Sequence, residues 1–202
     1  RDVQSCYPIY FKKDPETGSF YPIALFGLEE GQNVFLDDQD MWDATYIPLM
    51  SRRHPFLIAM QSSGDKSDDK KPVISIDMGN PRVNEIEGEL LFKDDGQPST
   101  YTKQIMKILE SIHLGNQSNS DFISEILELD LLESFTLEVT LSDGSKHALS
   151  GFYTVKETTL NNLNKDQLAS LQKKGYLLPI YMAVASHARM RSLVDKKDKR
   201  VG

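Results

Sequence analysis

A single cysteine, Cys6, among 202 residues excludes an internal disulfide. Long hydrophobic runs are missing too: the most apolar stretch, Leu177 to Ala185, is about half the length that a bilayer demands and is interrupted by Pro179 and Tyr181, so no transmembrane helix is expected. No secretory signal is visible at the start, which opens on Arg1. A lone cysteine suits a reducing compartment, so the cytoplasm is the expected location, with association at the cell surface left open. Positive charge is the minority sign. Thirty acidic against 23 basic side chains leave a net charge of -7, which argues against general attraction to nucleic acid or anionic lipid. Several enzyme signatures are also absent: there is no Walker-type phosphate loop, dinucleotide glycine fingerprint, Gly-x-Ser-x-Gly elbow, His-Glu-x-x-His or paired zinc cysteines.

What is there is an ordinary folded chain, 39% hydrophobic and 26% charged, long enough to bury roughly 70% of its unfolded surface. Up to Phe92, short apolar runs alternate with turn residues and read as strands: Tyr7–Phe11, Phe20–Phe26, Val34–Leu36, Phe56–Met60, Val73–Ile76 and Glu89–Phe92. Asp14-Pro15-Glu16-Thr17-Gly18 is a turn between the first two. The stretch 61–72 is rich in Ser, Gly, Asp and Lys without an apolar anchor, which predicts a mobile loop.

Beyond Gly96 the period changes. Ile105, Ile108, Leu109 and Ile112 predict a helix of about four turns, capped by Ser99 or Thr100 and closed at Gly115. A second helix is predicted from Ser120 to about Glu133, with Phe122, Ile123 and Ile126 as its stripe. Phe135, Leu137, Val139 and Leu141, then His147, Leu149, Gly151, Tyr153 and Val155, alternate as a hairpin with one buried face. A three-residue loop with Gly144 or Ser145 left-handed would set Val139 against Leu149 and Phe135 against Tyr153. Asn164 and Gln167 form a capping box for a helix that stops at Gly175. Pro179 suits the first turn of a last helix running to about Val194. The expected class is α+β: one domain over 1–202, an N-terminal antiparallel meander-like sheet, then helices and a late β-hairpin that joins the sheet, ending in a basic tail over 195–202.

Candidate chemistry is sparse. Glu110 and His113 have the helical spacing of a di-iron ligand pair, but no second pair exists, and His113 in a last helical turn would simply meet the helix dipole. The aspartates at 37, 38 and 40 and at 65, 68 and 69 lack the ligand alternation of calcium loops and read as solvated turns. Trp42, Tyr46, Arg52 and Arg53 gather ring area and two guanidiniums within twelve positions, a combination that can bind a carboxylate or sugar ligand. The competing reading makes Trp42 core and lets the arginines offset local aspartates. Asp77, at a strand end, is either a cleft-lining carboxylate or a turn cap. These five are the candidate ligand-binding residues; no catalytic residue, metal or cofactor is expected. Cys6 reads as an inert thiol.

A broader pattern carries a resemblance. Tyr7 to Asp14 with Thr17-Gly18, Ala24 to Leu28, Asn33 to Leu36, Trp42 with Tyr46-Ile47-Pro48, and Arg52-Arg53-His54-Pro55-Phe56 resemble the bacterial SapC family. So do Ile76-Asp77, Pro81-Arg82, Gly88 to Phe92, Asp95-Gly96, Leu137 to Leu141, Asp143-Gly144, His147 to Tyr153, Leu177-Leu178 and Ile180-Tyr181, in order along nearly the whole chain. The lysine- and aspartate-rich stretch from Gly64 to Lys71 departs from the usual pattern, and residues preceding Arg1 are expected in a full protein. The resemblance implies a surface-layer locus, and neighbours such as outer-membrane receptors and flavin-dependent halogenases, but no catalytic residues; the peptide-transport permease of similar name is a different, membrane-spanning protein. It therefore implies a non-enzymatic accessory or binding protein, linked to the surface layer or to outer-membrane uptake. The alternative is a small-molecule-binding protein or enzyme with its pocket at the five residues above. A protein partner or small molecule is expected rather than nucleic acid, and self-association is left open.

Overall fold

The computed structural model describes residues 2–62 and 70–200. The chain divides into two compact units, one built from residues up to Tyr46 and from Ser118 onward, the other from Ile47 to Gln117.

The first unit is organised on a four-stranded antiparallel sheet of order β2-β1-β6-β5, with β1 at Ile9–Lys13, β2 at Phe20–Ala24, β5 at Leu132–Thr140 and β6 at Lys146–Val155. A short helix, α1 (Asp2–Cys6), precedes it. The late hairpin thus joins the N-terminal strands, through Phe11 opposite Tyr153 and Lys12 opposite Phe152. The turn from β1 to β2 is fixed by Asp14, whose carboxylate accepts from the Glu16 and Thr17 amides at 2.8 and 2.9 Å, while Gly18 takes the left-handed conformation at φ 71°.

The β5–β6 hairpin has the expected three-residue loop, Ser142-Asp143-Gly144, closed by the Leu141 amide on the Ser145 carbonyl and with Gly144 left-handed at φ 83°. Its register is not the expected one. Val139 lies opposite His147 and Leu137 opposite Leu149, because the loop sits one residue earlier. The register then shifts, so that Phe135 faces Phe152. The extra residue is absorbed at Ser150-Gly151, and Gly151, at φ 77°, occupies the position of a β-bulge that only glycine enters without strain. The bulge reverses the facing of everything after it. Leu149 and Phe152 join Tyr10, Phe135, Leu137 and Val139 on one face of the sheet, whereas Tyr153 and Val155 join Phe11 on the other. The single buried face expected from strict alternation is therefore corrected to two, each with its own core.

One of these cores packs Tyr7, Val34 and Phe35 with Met190 and Leu193; the other packs Phe122, Ile126, Leu131, Leu171 and Ile180. The helices that cover them follow local rules. In α5 (Lys165–Lys174) the Asn164–Gln167 capping box is complete, with bonds of 2.9 Å in both directions, and Gly175 closes the C-terminus at φ 77°. A short α4 (Glu157–Asn161) precedes it. The expected single last helix is two, α6 (Leu177–Ser186) and α7 (Arg189–Asp198). The break has a cause: Ser186, fully buried, donates to the Ala183 carbonyl at 2.6 Å and accepts the Ile9 amide at 2.8 Å, and the next two amides bond three rather than four residues back.

The expected basic tail is docked in its described part. Lys196 pairs with Asp43, Lys197 lies 3.4 Å from Glu29, and the Arg200 guanidinium donates to the carbonyls of Asn33, Val34 and Leu36. Residues 26–43, an irregular segment anchored in the core by Val34 and Phe35, thereby gain a partner that composition alone does not reveal. Two of the six runs expected as strands form none: Val34–Leu36 supplies only a bridge from Leu36 to Trp42, and Glu89–Phe92 one from Phe92 to Pro98.

The second unit contains α2 (Leu49–Arg52), a two-stranded sheet of β3 (Phe56–Ser62) and β4 (Lys70–Ile76), and the first part of α3, which runs unbroken from Thr100 to Glu128. The strands extend into both ends of the stretch expected as mobile loop, since Gln61, Ser62, Lys70, Lys71 and Pro72 are paired; the rest of that stretch lies outside the described residues. Ser99 caps α3 by accepting the Thr102 amide at 3.1 Å. The expected stop at Gly115 does not occur, because a glycine costs a helix only about 1 kcal/mol, which the packing of Ile105, Ile108 and Leu109 before it and Phe122, Ile123 and Ile126 after it outweighs. His113 is consequently mid-helix, bonded to Gln117 at 3.2 Å, and does not meet a helix terminus.

Candidate functional site

The second unit builds a cleft from three pieces of chain. Phe56, at the start of β3, and Ile105 and Ile108, on one face of α3, form its buried apolar floor. The third piece is the segment 77–99, over twenty residues without helix or strand, a length that in compact domains usually has a functional reason. Its shape is set by side chains that replace the missing backbone ladder. Asp77 accepts the Gly79 amide at 3.1 Å, Asn80 the Arg82 amide at 3.1 Å, Asn84 those of Ile86 and Glu87, and Asp95 that of Gln97. Gly88, at φ 111°, and Gly96, at φ 76°, make the two turns that a side chain would strain. The Leu91 carbonyl accepts the Ser99 amide at 3.0 Å, closing the end of the segment on itself, and the Thr102 hydroxyl at 2.7 Å, tying it to α3.

The cleft is open to solvent and has a volume of about 410 Å³, within the range of small-molecule sites. Arg52, His54 and Arg82 bring basic groups to its wall, Glu87 and Glu89 acidic ones, and Asn84 and Gln104 amides. Tyr101 meets Phe56 edge to face, ring centroids 6.1 Å apart. None of the four formally charged side chains is engaged: among the described residues, Arg52 and Arg82 have no carboxylate within ion-pair distance, and Glu87 and Glu89 no cation. A planar guanidinium without a partner is pre-organised for a bidentate oxyanion.

Of the residues singled out in the sequence, Arg52 lines this cleft. Its neighbour Arg53 is used differently: its guanidinium donates to the Phe56 carbonyl at 2.9 Å and holds the turn containing the cis His54–Pro55 bond. Asp77 caps its own turn at the end of β4. Trp42 and Tyr46 belong to the first unit, where both serve Tyr7. The Trp42 indole donates to the Tyr7 hydroxyl at 2.6 Å, and that hydroxyl donates to the Tyr46 carbonyl. Tyr7 is fully buried among Phe26, Phe35 and Trp42, and burial pushes its hydroxyl up to about 12, only partly offset by the bond from Trp42. Sequence reasoning missed Glu87, Glu89, Tyr101 and Gln104 as cleft residues. Asp77, Pro81-Arg82 and the run Gly88 to Phe92 pointed toward that segment, but not to its acidic side chains as lining.

Other polar clusters bond largely among themselves. His147 lies with Nδ1 3.2 Å from Glu29 and Nε2 3.4 Å from the Ser145 hydroxyl, the order of a nucleophilic triad. Ser145 donates instead to Asp143 at 2.6 Å, and the Ser142, Gly144 and Ser145 amides are all taken, so no oxyanion site adjoins it. A larger groove in the first unit, about 780 Å³, includes Glu29, which is already engaged by His147 and Lys197. Burial raises the Cys6 thiol, but bonds from Thr45 and Ser5 outweigh it and leave the thiol below its ordinary value. His187 stacks on Tyr10 at 4.9 Å; burial lowers its pKa, against smaller opposing effects of the Ile9 backbone and Glu157. Among the described residues no three of His, Cys, Asp and Glu are placed to hold a metal ion, and no helix is long and apolar enough to cross a membrane.

No curated protein and no solved structure matches the chain. A family model does, that of SapC, and it covers residues 1–193, which include both sheets, the cleft and all but the last turns of α7. The chain belongs to the SapC family.

Proposed function

We propose that this SapC-family protein is a binding protein whose cleft in residues 47–117 takes a small organic acid. The observation that supports this most directly is the pair of unengaged guanidiniums, Arg52 and Arg82, on the wall of a cleft floored by Phe56, Ile105 and Ile108. An exposed arginine on a convex surface is well solvated and means little; two on one concave, largely apolar surface supply orientation where burial supplies affinity. Native mass spectrometry of the protein from its own host, against its denatured mass, tests the reading. The expected result is a stoichiometric acid that is lost from the Arg52→Ala/Arg82→Ala variant. The reading fails if neither this experiment nor a thermal-shift panel of carboxylates and phosphates finds a ligand sensitive to those two arginines.

A protein partner is the second reading, in keeping with an accessory role at a surface layer or uptake system. It is favoured by the concentration of exposed large apolar side chains in residues 47–117, with Ile86 at 93%, Leu90 at 75% and Phe92 at 59% exposure. Crosslinking in the host followed by mapping of the crosslinked positions checks it, with contacts expected on 86–92 and not on the first unit's helices.

A further inference from the structure

Resting on the organic-acid reading, we infer that the ligand is a zwitterion, an α-amino acid with a large apolar side chain, its carboxylate held by Arg52 and Arg82 and its ammonium by Glu87 and Glu89. The cleft carries both signs of charge, two groups of each, and among the described residues the two signs do not pair with each other or with anything else. A simple carboxylate entering this space would satisfy the arginines and meet two like charges. A simple amine would satisfy the glutamates and meet two guanidiniums. Like-charge juxtaposition opposes binding, so the lining holds either of these more weakly than a molecule that carries both charges a short distance apart. The remainder of the lining is apolar: Phe56, Ile105 and Ile108 are buried, and Tyr101 adds a ring edge on to Phe56. That wall fits a hydrocarbon or aromatic side chain. The volume, about 410 Å³, sits toward the lower end of the roughly 300–1,000 Å³ typical of ligand sites, which suits a single amino acid and not a dinucleotide or a long peptide.

The test is isothermal titration calorimetry of the full chain with phenylalanine, leucine, 3-phenylpropionate and phenethylamine. Phenylalanine is expected to bind more tightly than either analogue with one charge, by about tenfold or more. In the Glu87→Gln/Glu89→Gln variant, the preference for phenylalanine over 3-phenylpropionate is expected to collapse by a similar factor, and Arg52→Ala/Arg82→Ala should weaken both. If 3-phenylpropionate binds as tightly as phenylalanine, or the preference survives in the glutamine variant, the zwitterion is wrong and the organic-acid reading stands. If none of these compounds binds, and no other acid does, both fall together.

Discussion

Replacing Tyr7 by phenylalanine removes one oxygen from the middle of the first unit and leaves the ring contacts with Phe26, Phe35 and Trp42 in place. That oxygen accepts from the Trp42 indole and donates to the Tyr46 carbonyl, so its loss leaves one donor and one acceptor without partners. A buried group so stranded costs about 1–3 kcal/mol. Trp42 and Tyr46 are only half-buried and recover part of this from water, which places the expected loss at about 2–3 kcal/mol. For a chain of this size that corresponds to roughly 4–12 °C in Tm. Trp42 is the only tryptophan, so urea unfolding followed by its fluorescence reports on this unit directly. Tyr46→Phe is the control. Its own hydroxyl has no hydrogen-bond partner among the described residues and its carbonyl survives the change, so it should stay within about 0.5 kcal/mol of wild type. The reasoning is refuted if Tyr7→Phe is equally silent, or if Tyr46→Phe costs as much. The pH dependence gives a second reading of the same oxygen. Its folded pKa of about 12 lies above the ordinary 10.0, so its contribution is complete below pH 10 and is lost as pH rises toward 12. Tyr7→Phe should therefore narrow its deficit against wild type over that interval.

Two further outcomes are expected elsewhere. Gly151→Ala places a Cβ at φ 77°, and although nothing crowds the position, the left-handed backbone alone should cost about 1–2 kcal/mol in urea unfolding; a neutral result would show that the bulge does not need glycine. His187, held neutral by burial between Tyr10 and Thr154, has a depressed folded pKa, so its contribution is present above the ordinary value of 6.5 and is lost as pH falls below it. Unfolding curves between pH 7 and 5 should therefore flatten in His187→Gln relative to wild type, and an NMR titration of His187 midway at or above 6.5 would contradict this.

Much of the local structure was legible because it depends on neighbours in sequence. Asp14 and Gly18 define their turn, Asn164 and Gln167 cap their helix, Gly175 ends it, and Gly144 fits a three-residue loop whatever surrounds them. The α+β class and the joining of the late hairpin to the first strands also follow from periodicity, since strands with apolar faces must find one another. Arg52 could be singled out because arginines beside rings are chemically conspicuous. The rest was decided by packing at long range. Alternation in β6 reads as one buried face until Gly151 inserts a residue and turns Tyr153 and Val155 to the other side; nothing local distinguishes that glycine from an edge kink. Gly115 looks like a stop and is overridden by cores on either side of it, and the helix expected to run past Ser186 is broken because that hydroxyl is claimed by Ile9, 177 positions away. The cleft has the same origin. Glu87, Glu89 and Tyr101 are unremarkable in sequence, and only the folding of segment 77–99 against α3 and β3 sets them beside Arg52 and Arg82. Sequence fixes what each residue can offer locally; which offers meet depends on burial summed over the whole fold, and that sum exists only in three dimensions.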